Sequence, residues 1–404
     1  PGPTEFGRAG AKLDDHAKPR GAASNRRLAQ LYPAVHQNLL ADEEGEATVL
    51  TDEKDLAGLP ESVRSAAAAE ATARGQTGQW LIANTRSSAE PFLTFSTRRD
   101  LREKVWRAFV TRGDHAGPHD NKPLLVEILR LRAERAKLLG YATHAHWRLE
   151  NTMAGTPDRA LSLMEAVWKP AVARVREEVA DMQRLADAEG NGIRIEPWDY
   201  RYYAEKVRKA KYDLDADALK PYLQLENLRE AMFWVAGRLY GLTFTPATGV
   251  PVYHPDVRVW EVRDAQKHVA LWYFDPYARP GKRSGAWASA YRPQERLNGD
   301  ITPLVSNNCN FMKGAPNEPV LVSWDDAETL FHEFGHALHG LSSNVRYPSL
   351  AGSAVPRDYV ELPSQINEHW LPTPEVLQRF ARHYRTGEPI APALAERIAR
   401  AAPV

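Results

Sequence analysis

The chain has 404 residues, of which 43% are apolar and 26% are charged, a composition typical of a globular protein with a sizeable core. Lysine plus arginine equals aspartate plus glutamate at 52 each, and this zero net charge disfavours a nucleic-acid-binding function, which usually needs a basic excess. No apolar run approaches about 18 residues, so no transmembrane helix is predicted. The one cysteine, Cys309, excludes an intrachain disulfide, fits a reducing compartment and is expected to be a buried thiol.

The first 240 residues are predicted to be mostly helical. Residues 124–139 place apolar side chains at intervals of three and four between charged ones, and Gly140 follows as a stop signal. Pro170 is expected to kink or break the longest of the remaining helices. Those helices are predicted over residues 66–73, 160–189, 198–212 and 225–240.

The sequence changes character near residue 242, where β-branched and aromatic residues become frequent. Residues 257–263 and 268–274 predict a β-hairpin with a turn at residues 264–267. A helix capped at Asp325 or Asp326 follows a small, mostly antiparallel sheet. Further strands are predicted over residues 286–291, 302–311 and 320–324, and a further helix is predicted over residues 358–370.

The chemically informative segment is His332-Glu333-Phe334-Gly335-His336, an H-E-x-x-H motif within an amphipathic helical pattern. Residues four apart on a helix project from the same face, so both imidazoles can reach one zinc ion at about 2.0 to 2.1 Å. Glu333 lies about 100° further round the helix, which suits a catalytic base that acts on water at the metal. The alternative interpretation is a helix whose two histidines pack without a metal.

A catalytic zinc needs a third protein ligand and one open position. Glu361 lies 25 residues after His336, far enough for a second helix to return a carboxylate to the metal. In the alternative, Glu361 belongs to the capping box Asp358-x-x-Glu361 and only satisfies a helix N-terminus. Glu368 lies seven residues further on nearly the same face and is the alternative ligand, and Asp358 and His369 are further candidates.

Other groups should orient the ligand histidines. Glu328 lies four residues before His332 on the same face, and Asp358 lies near Glu361, so either carboxylate could accept an imidazole N–H. Helix capping or simple surface exposure is the alternative for both. His339 follows the motif by three residues and either lines the cleft or packs, which the sequence leaves open.

Together with RDYVELPSQ at residues 357–365, the HEFGH motif resembles the thimet oligopeptidase family of zinc metallopeptidases. The resemblance extends from about residue 8 to the end of the chain and is strongest to the bacterial peptidyl-dipeptidase (dipeptidyl carboxypeptidase) branch. The segments most like that branch are PWDYRYY at residues 197–203, FDPYARPGK at 274–282, YPSLAGS at 347–353 and EHW at 368–370.

The resemblance implies that Glu361 is the third ligand of one Zn²⁺ per chain and that Glu333 is the catalytic base. It also implies a mainly α fold with a small antiparallel sheet beside the active site. This zincin-like metallopeptidase core would lie in a prolate, two-lobed helical shell with a deep channel. We therefore expect a mainly helical channel-wall region, residues 1–241, and a catalytic region with the sheet and the zinc-binding helices, residues 242–404.

The function implied is that of a cytoplasmic, monomeric zinc metallopeptidase that hydrolyses short peptides, with neither nucleic acid nor a membrane as partner. Release of C-terminal dipeptides is the predicted activity, and the alternatives are cleavage of internal bonds or zinc binding without turnover. Family members carry a Gly- and Tyr-rich segment with a His well beyond the glutamate ligand, so we expect this chain to be a fragment. The strand predicted at residues 302–311 is a candidate for pairing with extended substrate, and no substrate-binding side chain is identified.

Overall fold

The computed structural model describes residues 3–190, 192–212, 216–265, 267–313 and 318–401. These residues form two compact units, each assembled from segments that are distant in the sequence. The first unit takes the described residues of Pro1–Ala47, Arg107–Glu177 and Pro356–Tyr359, and the second takes those of Thr48–Trp106, Glu178–Val355 and Val360–Val404.

The chain is mainly helical up to residue 240, as the periodicity predicts. The predicted helix at residues 124–139 is found as α6, and the longest predicted helix, α8, continues through Pro170 without a break. The helices are α1 Pro3–Phe6, α2 Ala17–Gly45, α3 Glu61–Ala73, α4 Arg86–Phe95, α5 Arg99–Val110, α6 Lys122–Leu138, α7 His144–Leu149, α8 Pro157–Ala188, α9 Tyr200–Tyr212, α10 Ala216–Leu219 and α11 Leu225–Tyr240. Shorter helical turns are a π-helix at Gly7–Ala11 and 3₁₀ turns at Glu53–Leu56 and Lys220–Tyr222.

A two-stranded antiparallel sheet interrupts these helices. It pairs β1 Thr48–Leu50 with β2 Trp80–Ile82. Neither strand is predicted from the sequence, because three-residue strands are too short to show an alternating pattern.

The larger sheet begins after α11, which ends at Gly241 in the left-handed conformation (φ 68°). Its order is β3-β4-β5-β7-β6, and every neighbouring pair is antiparallel except β5–β7, which is parallel. The predicted small, mostly antiparallel sheet is thus confirmed, and Gln266 of the predicted turn lies outside the described residues. The strands are β3 Thr243–Pro246, β4 Arg258–Arg263, β5 His268–Tyr277, β6 Trp287–Arg292 and β7 Leu304–Phe311.

The strand predicted at residues 302–311 is confirmed as β7, but two other predictions are wrong. Residues 320–324 form no strand and contribute only an isolated bridge between Leu321 and Gln224. The strand predicted at residues 302–311 lies between β5 and β6, so both of its edges are already paired and it cannot add a substrate strand. Within the described residues, the sheet ends at β6 on that side.

The remaining helices follow the sheet. The first, α12, begins one residue before the predicted caps, because Ser323 is its N-cap: the Ser323 hydroxyl accepts the Asp326 backbone N–H, and the Asp326 carboxylate accepts the Ser323 backbone N–H. The helix predicted from residue 358 begins later, at Leu362. These helices are α12 Trp324–Leu341, α13 Leu362–Glu368, α14 Pro374–Phe380 and α15 Pro392–Ala401, with a 3₁₀ turn at Pro348–Leu350.

The main core of the second unit lies between α12, α11 and the larger sheet. Phe331 and Phe334 of α12 are fully buried, and the Phe334 ring meets Trp272 of β5 edge-on at 5.5 Å. Phe233 of α11 packs against the same tryptophan at 5.4 Å. Burying each such aromatic side chain contributes about 1.5 to 3 kcal/mol, which fixes α12 against the sheet. Among the described helices, none is long and apolar enough to cross a membrane.

Candidate metal centre

Both histidines of the motif lie on α12, with ring centroids 4.9 Å apart and ring planes at 83°. The apolar residues of this helix point into the core, so the turn that carries His332 and His336 presents the two imidazoles together, each half-buried. Burial lowers the pKa of His336, which favours the neutral imidazole that a metal requires.

Glu361 lies immediately before α13 and brings its carboxylate to the two imidazoles. Its Oε2 lies 3.1 Å from His332 Nε2 and 3.0 Å from His336 Nε2. Although Glu361 occupies the N-cap position of α13, its side chain makes no capping hydrogen bond. The structure thus brings together the three residues predicted as metal ligands. Glu361 does not form the alternative capping box with Asp358.

The carboxylate of Glu361 is held in its charged form. Burial alone would raise the pKa of Glu361, but the hydrogen bond from the Ser364 hydroxyl and the neighbouring imidazoles outweigh it and lower the pKa. Two imidazole nitrogens and a carboxylate oxygen, all within 4.8 Å of one another, are the donor set that zinc takes in hydrolases. The residues present therefore fit a zinc ion.

A glycine sets how closely α12 and α13 approach. A Cβ atom on Gly335 would lie 2.6 Å from Ser364 Cα, 2.7 Å from the Pro363 carbonyl oxygen and 2.8 Å from Asn367 Cβ. Such contacts are shorter than any side chain tolerates, so only glycine permits this packing. The close approach brings Glu361, one residue before α13, within reach of the histidines on both sides of Gly335.

Two buried asparagines form hydrogen bonds to α12 close to Gly335. Asn367 of α13 donates from Nδ2 to the Phe331 carbonyl oxygen at 2.6 Å, and Asn307 of β7 donates to the Glu333 carbonyl oxygen at 2.5 Å. The Asn307 amide oxygen in turn accepts the indole N–H of Trp272 at 2.7 Å. These hydrogen bonds satisfy groups that are deeply buried and fix the motif relative to both the sheet and α13.

Glu368, which the sequence suggested only as an alternative metal ligand, contacts the imidazole of His332 on the side away from Glu361. Its Oε1 lies 2.5 Å from His332 Nδ1, the ring nitrogen that does not face Glu361. A carboxylate at this nitrogen fixes the tautomer and orientation of the ring and leaves Nε2 free to bind a metal. Its seven-residue spacing from Glu361 was the available signal, but spacing alone does not separate a ligand from an orienting group.

The structure does not bring the two orienting candidates of the sequence analysis to an imidazole. The Glu328 carboxylate accepts a hydrogen bond from the Trp324 side chain, and burial raises the pKa of Glu328. In the first unit, the Asp358 carboxylate accepts the backbone N–H of Ala154 at 3.0 Å.

Glu333, the acid of the HEFGH motif, is deeply buried, with 6% of its surface exposed. Burial raises the pKa of Glu333 to about 7, and the nearby Glu361 carboxylate adds to this rise. Among the described residues its Oε2 atom has no hydrogen-bond partner. A buried carboxylate with a free oxygen and a pKa near neutrality is suited to accept and release a proton.

His339 is half-buried, one turn beyond His336, and its Nδ1 is a buried atom without a partner among the described residues. Burial lowers the pKa of His339, so it is neutral near pH 7.

This geometry, two histidines and a glutamate beside a buried glutamate on a helix that packs against a sheet, is the architecture of zinc-dependent hydrolases. The chain matches Peptidase family M3 over residues 92–403 and belongs to that family. The resemblance to the thimet oligopeptidase family is thereby confirmed.

Curated proteins that are similar to this chain include bacterial peptidases. The chain is 41% identical to dipeptidyl carboxypeptidase of Salmonella typhimurium over 395 residues, 97% of this chain and 58% of that protein, and 40% identical to its Escherichia coli counterpart with the same coverage. It is 36% identical to oligopeptidase A of Salmonella typhimurium over 98% of this chain and 59% of that protein. The chain thus spans less than two thirds of the length of these relatives.

Proposed function

We propose that this chain carries the zinc centre of a metallopeptidase that hydrolyses short peptides. The observation that supports it most directly is the convergence of His332, His336 and Glu361 beside the buried Glu333. Zinc, when bound, supplies a Lewis acid that polarises a carbonyl and acidifies a water. One catalytic ion per chain is proposed, because the donor set of this centre is complete within the chain.

The protein residues have separate tasks in this proposal. Glu333 takes a proton from the attacking water at its free carboxylate oxygen and passes it to the leaving amine. Glu368 holds His332 in the orientation and tautomer that present Nε2. Gly335 and Asn367 keep α13, and with it Glu361, at the distance that the three ligands require.

Release of C-terminal dipeptides is the preferred specificity. It is supported by the higher identity to relatives named dipeptidyl carboxypeptidase, 41% against 36% for oligopeptidase A. Cleavage of internal bonds is the second candidate, supported by the latter likeness, and zinc binding without turnover by this chain is the third. The ligand set is the same in all three.

Strand β6 is the proposed site for an extended peptide. It has a single neighbour, β7, within the described sheet, so its other edge offers backbone donors and acceptors to an added strand. This replaces the earlier prediction for residues 302–311. We further propose a monomer in the cytoplasm, in keeping with the single buried Cys309.

The test is an incubation of the protein with an octapeptide that has a free C-terminus, followed by mass spectrometry, with a chelator-treated control. Successive loss of C-terminal dipeptides that the chelator stops supports the preferred specificity. Internal cuts support the second candidate. Protein that holds zinc and cleaves nothing supports the third, and protein that cannot be loaded with zinc contradicts the proposal as a whole.

A further inference from the structure

A second cluster of metal-ligating side chains lies in the first unit. Asp42 and Glu46, at the end of α2, lie beside His115, which follows α5. One potential ligand atom from each lies within 4.8 Å of the other two, and among the described residues only this cluster and that of His332 satisfy this geometry.

The distances match those between ligands that share one ion. His115 Nε2 lies 2.8 Å from Asp42 Oδ2 and 3.8 Å from Glu46 Oε1. His119 lies outside this group of three, and its Nδ1 is 3.4 Å from the other carboxylate oxygen of Asp42, Oδ1. Neighbouring ligands at right angles, each about 2.0 to 2.1 Å from a metal, are about 2.9 Å apart, and wider angles give longer separations.

The charge at the end of α2 also favours a cation. A helix C-terminus carries partial negative charge and is stabilised by basic groups. Here α2 ends with acidic residues at 42, 43 and 44, followed by Glu46, and its last turn contains no basic residue. Arg112 pairs with Glu43 at 2.6 Å and balances one of these charges. A divalent ion would balance the charge on the other side of the helix end.

Asp42 has the properties of an anchored ligand. It is only 2% exposed, and it accepts the backbone N–H of Gly113 at 2.7 Å. Burial would raise the pKa of Asp42, but the hydrogen bonds from Gly113 and His115 outweigh it and keep the group a carboxylate. His115 and Glu46 are partly exposed, so the site is open to exchange with solvent and to water as a further ligand.

We propose that Asp42, Glu46 and His115, with His119 as a fourth donor, bind a divalent first-row transition-metal ion separate from the proposed catalytic zinc. Mixed imidazole and carboxylate donors suit zinc, manganese or nickel. The ion fastens the C-terminal end of α2 to the loop between α5 and α6. The competing explanation is that Asp42 and His115 form a hydrogen-bonded pair without an ion.

The number of zinc ions per chain is measured by inductively coupled plasma mass spectrometry. The purified 404-residue chain is first loaded with zinc sulfate and then exchanged into zinc-free buffer. Wild type should hold two equivalents and His336→Gln one. His336→Gln combined with His115→Gln and His119→Gln should hold none. The matched control, His336→Gln with the exposed His16→Gln and His36→Gln, should still hold one.

A second measurement guards against misfolding. Added zinc should raise the thermal midpoint of His336→Gln and of its matched control, but not that of the variant without His115 and His119. If wild type holds a single equivalent that His336→Gln removes, the second site is refuted while the proposed function stands. If His115→Gln and His119→Gln remove the only equivalent, the catalytic centre is refuted instead. Zinc retained without His115 and His119 in the His336→Gln background also overturns this proposal.

Discussion

At the residue scale, the candidate site separates metal binding from proton transfer. The proposed ligand atoms belong to His332, His336 and Glu361, whereas Glu333 is deeply buried and has an oxygen without a partner among the described residues. Burial raises the pKa of Glu333 to about 7. The same side chain at the surface would be fully ionised at neutral pH and a weaker base.

Replacing Glu333 with Gln should abolish peptide hydrolysis and leave zinc binding intact. The amide has nearly the same shape but cannot accept a proton, and general-base catalysis typically contributes about 10²- to 10⁴-fold to the rate. Zinc content and octapeptide cleavage measured on the same preparations test this. A Glu333→Gln variant with unchanged turnover would exclude Glu333 as the base.

Replacing Glu368 with Gln should weaken zinc binding by about 10- to 100-fold, because a neutral amide at His332 Nδ1 no longer fixes the ring or raises its basicity. Competition with a chromogenic chelator measures this affinity. Glu375→Gln, an exposed substitution on α14, is the matched control and should bind zinc like wild type. Equal affinities of the two variants would remove Glu368 from the site.

At the element scale, the site depends on how α12, α13 and β7 pack. Asn307 of β7 donates to the Glu333 carbonyl oxygen, and Asn367 of α13 donates to the carbonyl oxygen of Phe331, directly before the HEFGH motif. Gly335 lets α13 approach without a Cβ between the helices. The ligand geometry is therefore a property of this contact and not of α12 alone.

Gly335→Ala should destabilise the protein by about 1 to 3 kcal/mol, the usual cost of overpacking a tight contact, and should also lower zinc affinity. The added methyl group must push α13 away and carry Glu361 with it. Urea denaturation of zinc-free protein gives the first quantity, and chelator competition gives the second.

Gly45→Ala provides the control for that substitution. Gly45 is the last residue of α2, and nothing lies within 4 Å of a Cβ built there. Alanine is the better helix former by about 0.5 to 1 kcal/mol, so this variant should be as stable as wild type or more so. Gly335→Ala with wild-type stability and zinc affinity would show that the two helices do not constrain the ligands.

At the scale of the whole molecule, stability should depend on a buried ion cluster in the second unit. Asp199 is fully buried and accepts hydrogen bonds from Arg99 and Arg102, both at 2.8 Å. Arg102 is itself only 2% exposed. Burial would raise the pKa of Asp199, but the two guanidinium groups outweigh it and lower the pKa.

Asp199→Asn should therefore destabilise the protein by about 3 to 5 kcal/mol at pH 7, because it leaves a buried guanidinium uncompensated. A carboxylate with a lowered folded-state pKa stabilises the fold above its unfolded-state pKa of about 3.9 and loses this effect as pH falls through the folded value. The difference between variant and wild type should thus be full at pH 7 and shrink below about pH 4.

Denaturant midpoints measured across this pH range check both parts. Asp100→Asn is the control, since Asp100 lies on α5, the helix of Arg99 and Arg102, and forms an exposed pair with Arg98. Exposed pairs contribute about 0 to 1 kcal/mol, so this variant should change little. Equal effects of the two substitutions would mean that burial does not increase the contribution of the Asp199 cluster to the free energy of unfolding.

The sequence by itself determined the local features. The four-residue spacing of His332 and His336 places both on one helix face whatever surrounds them, because helix geometry is local. The apolar periodicity located α6, α8 and α11 well, and Gly241 marked a helix end. The resemblance of the HEFGH and RDYVELPSQ segments named the family, which the match over residues 92–403 confirms.

Only the tertiary structure decided the relations between distant segments. From their spacing, Glu361 and Glu368 were both candidates for the third metal ligand. The close packing of α12 and α13 at Gly335 places Glu361 against the Nε2 atoms of both histidines and Glu368 against Nδ1 of His332. Strand order likewise is not encoded in any one strand, so the position of β7 between β5 and β6 was missed. Such choices depend on packing between elements separated by tens of residues, which a local pattern does not contain.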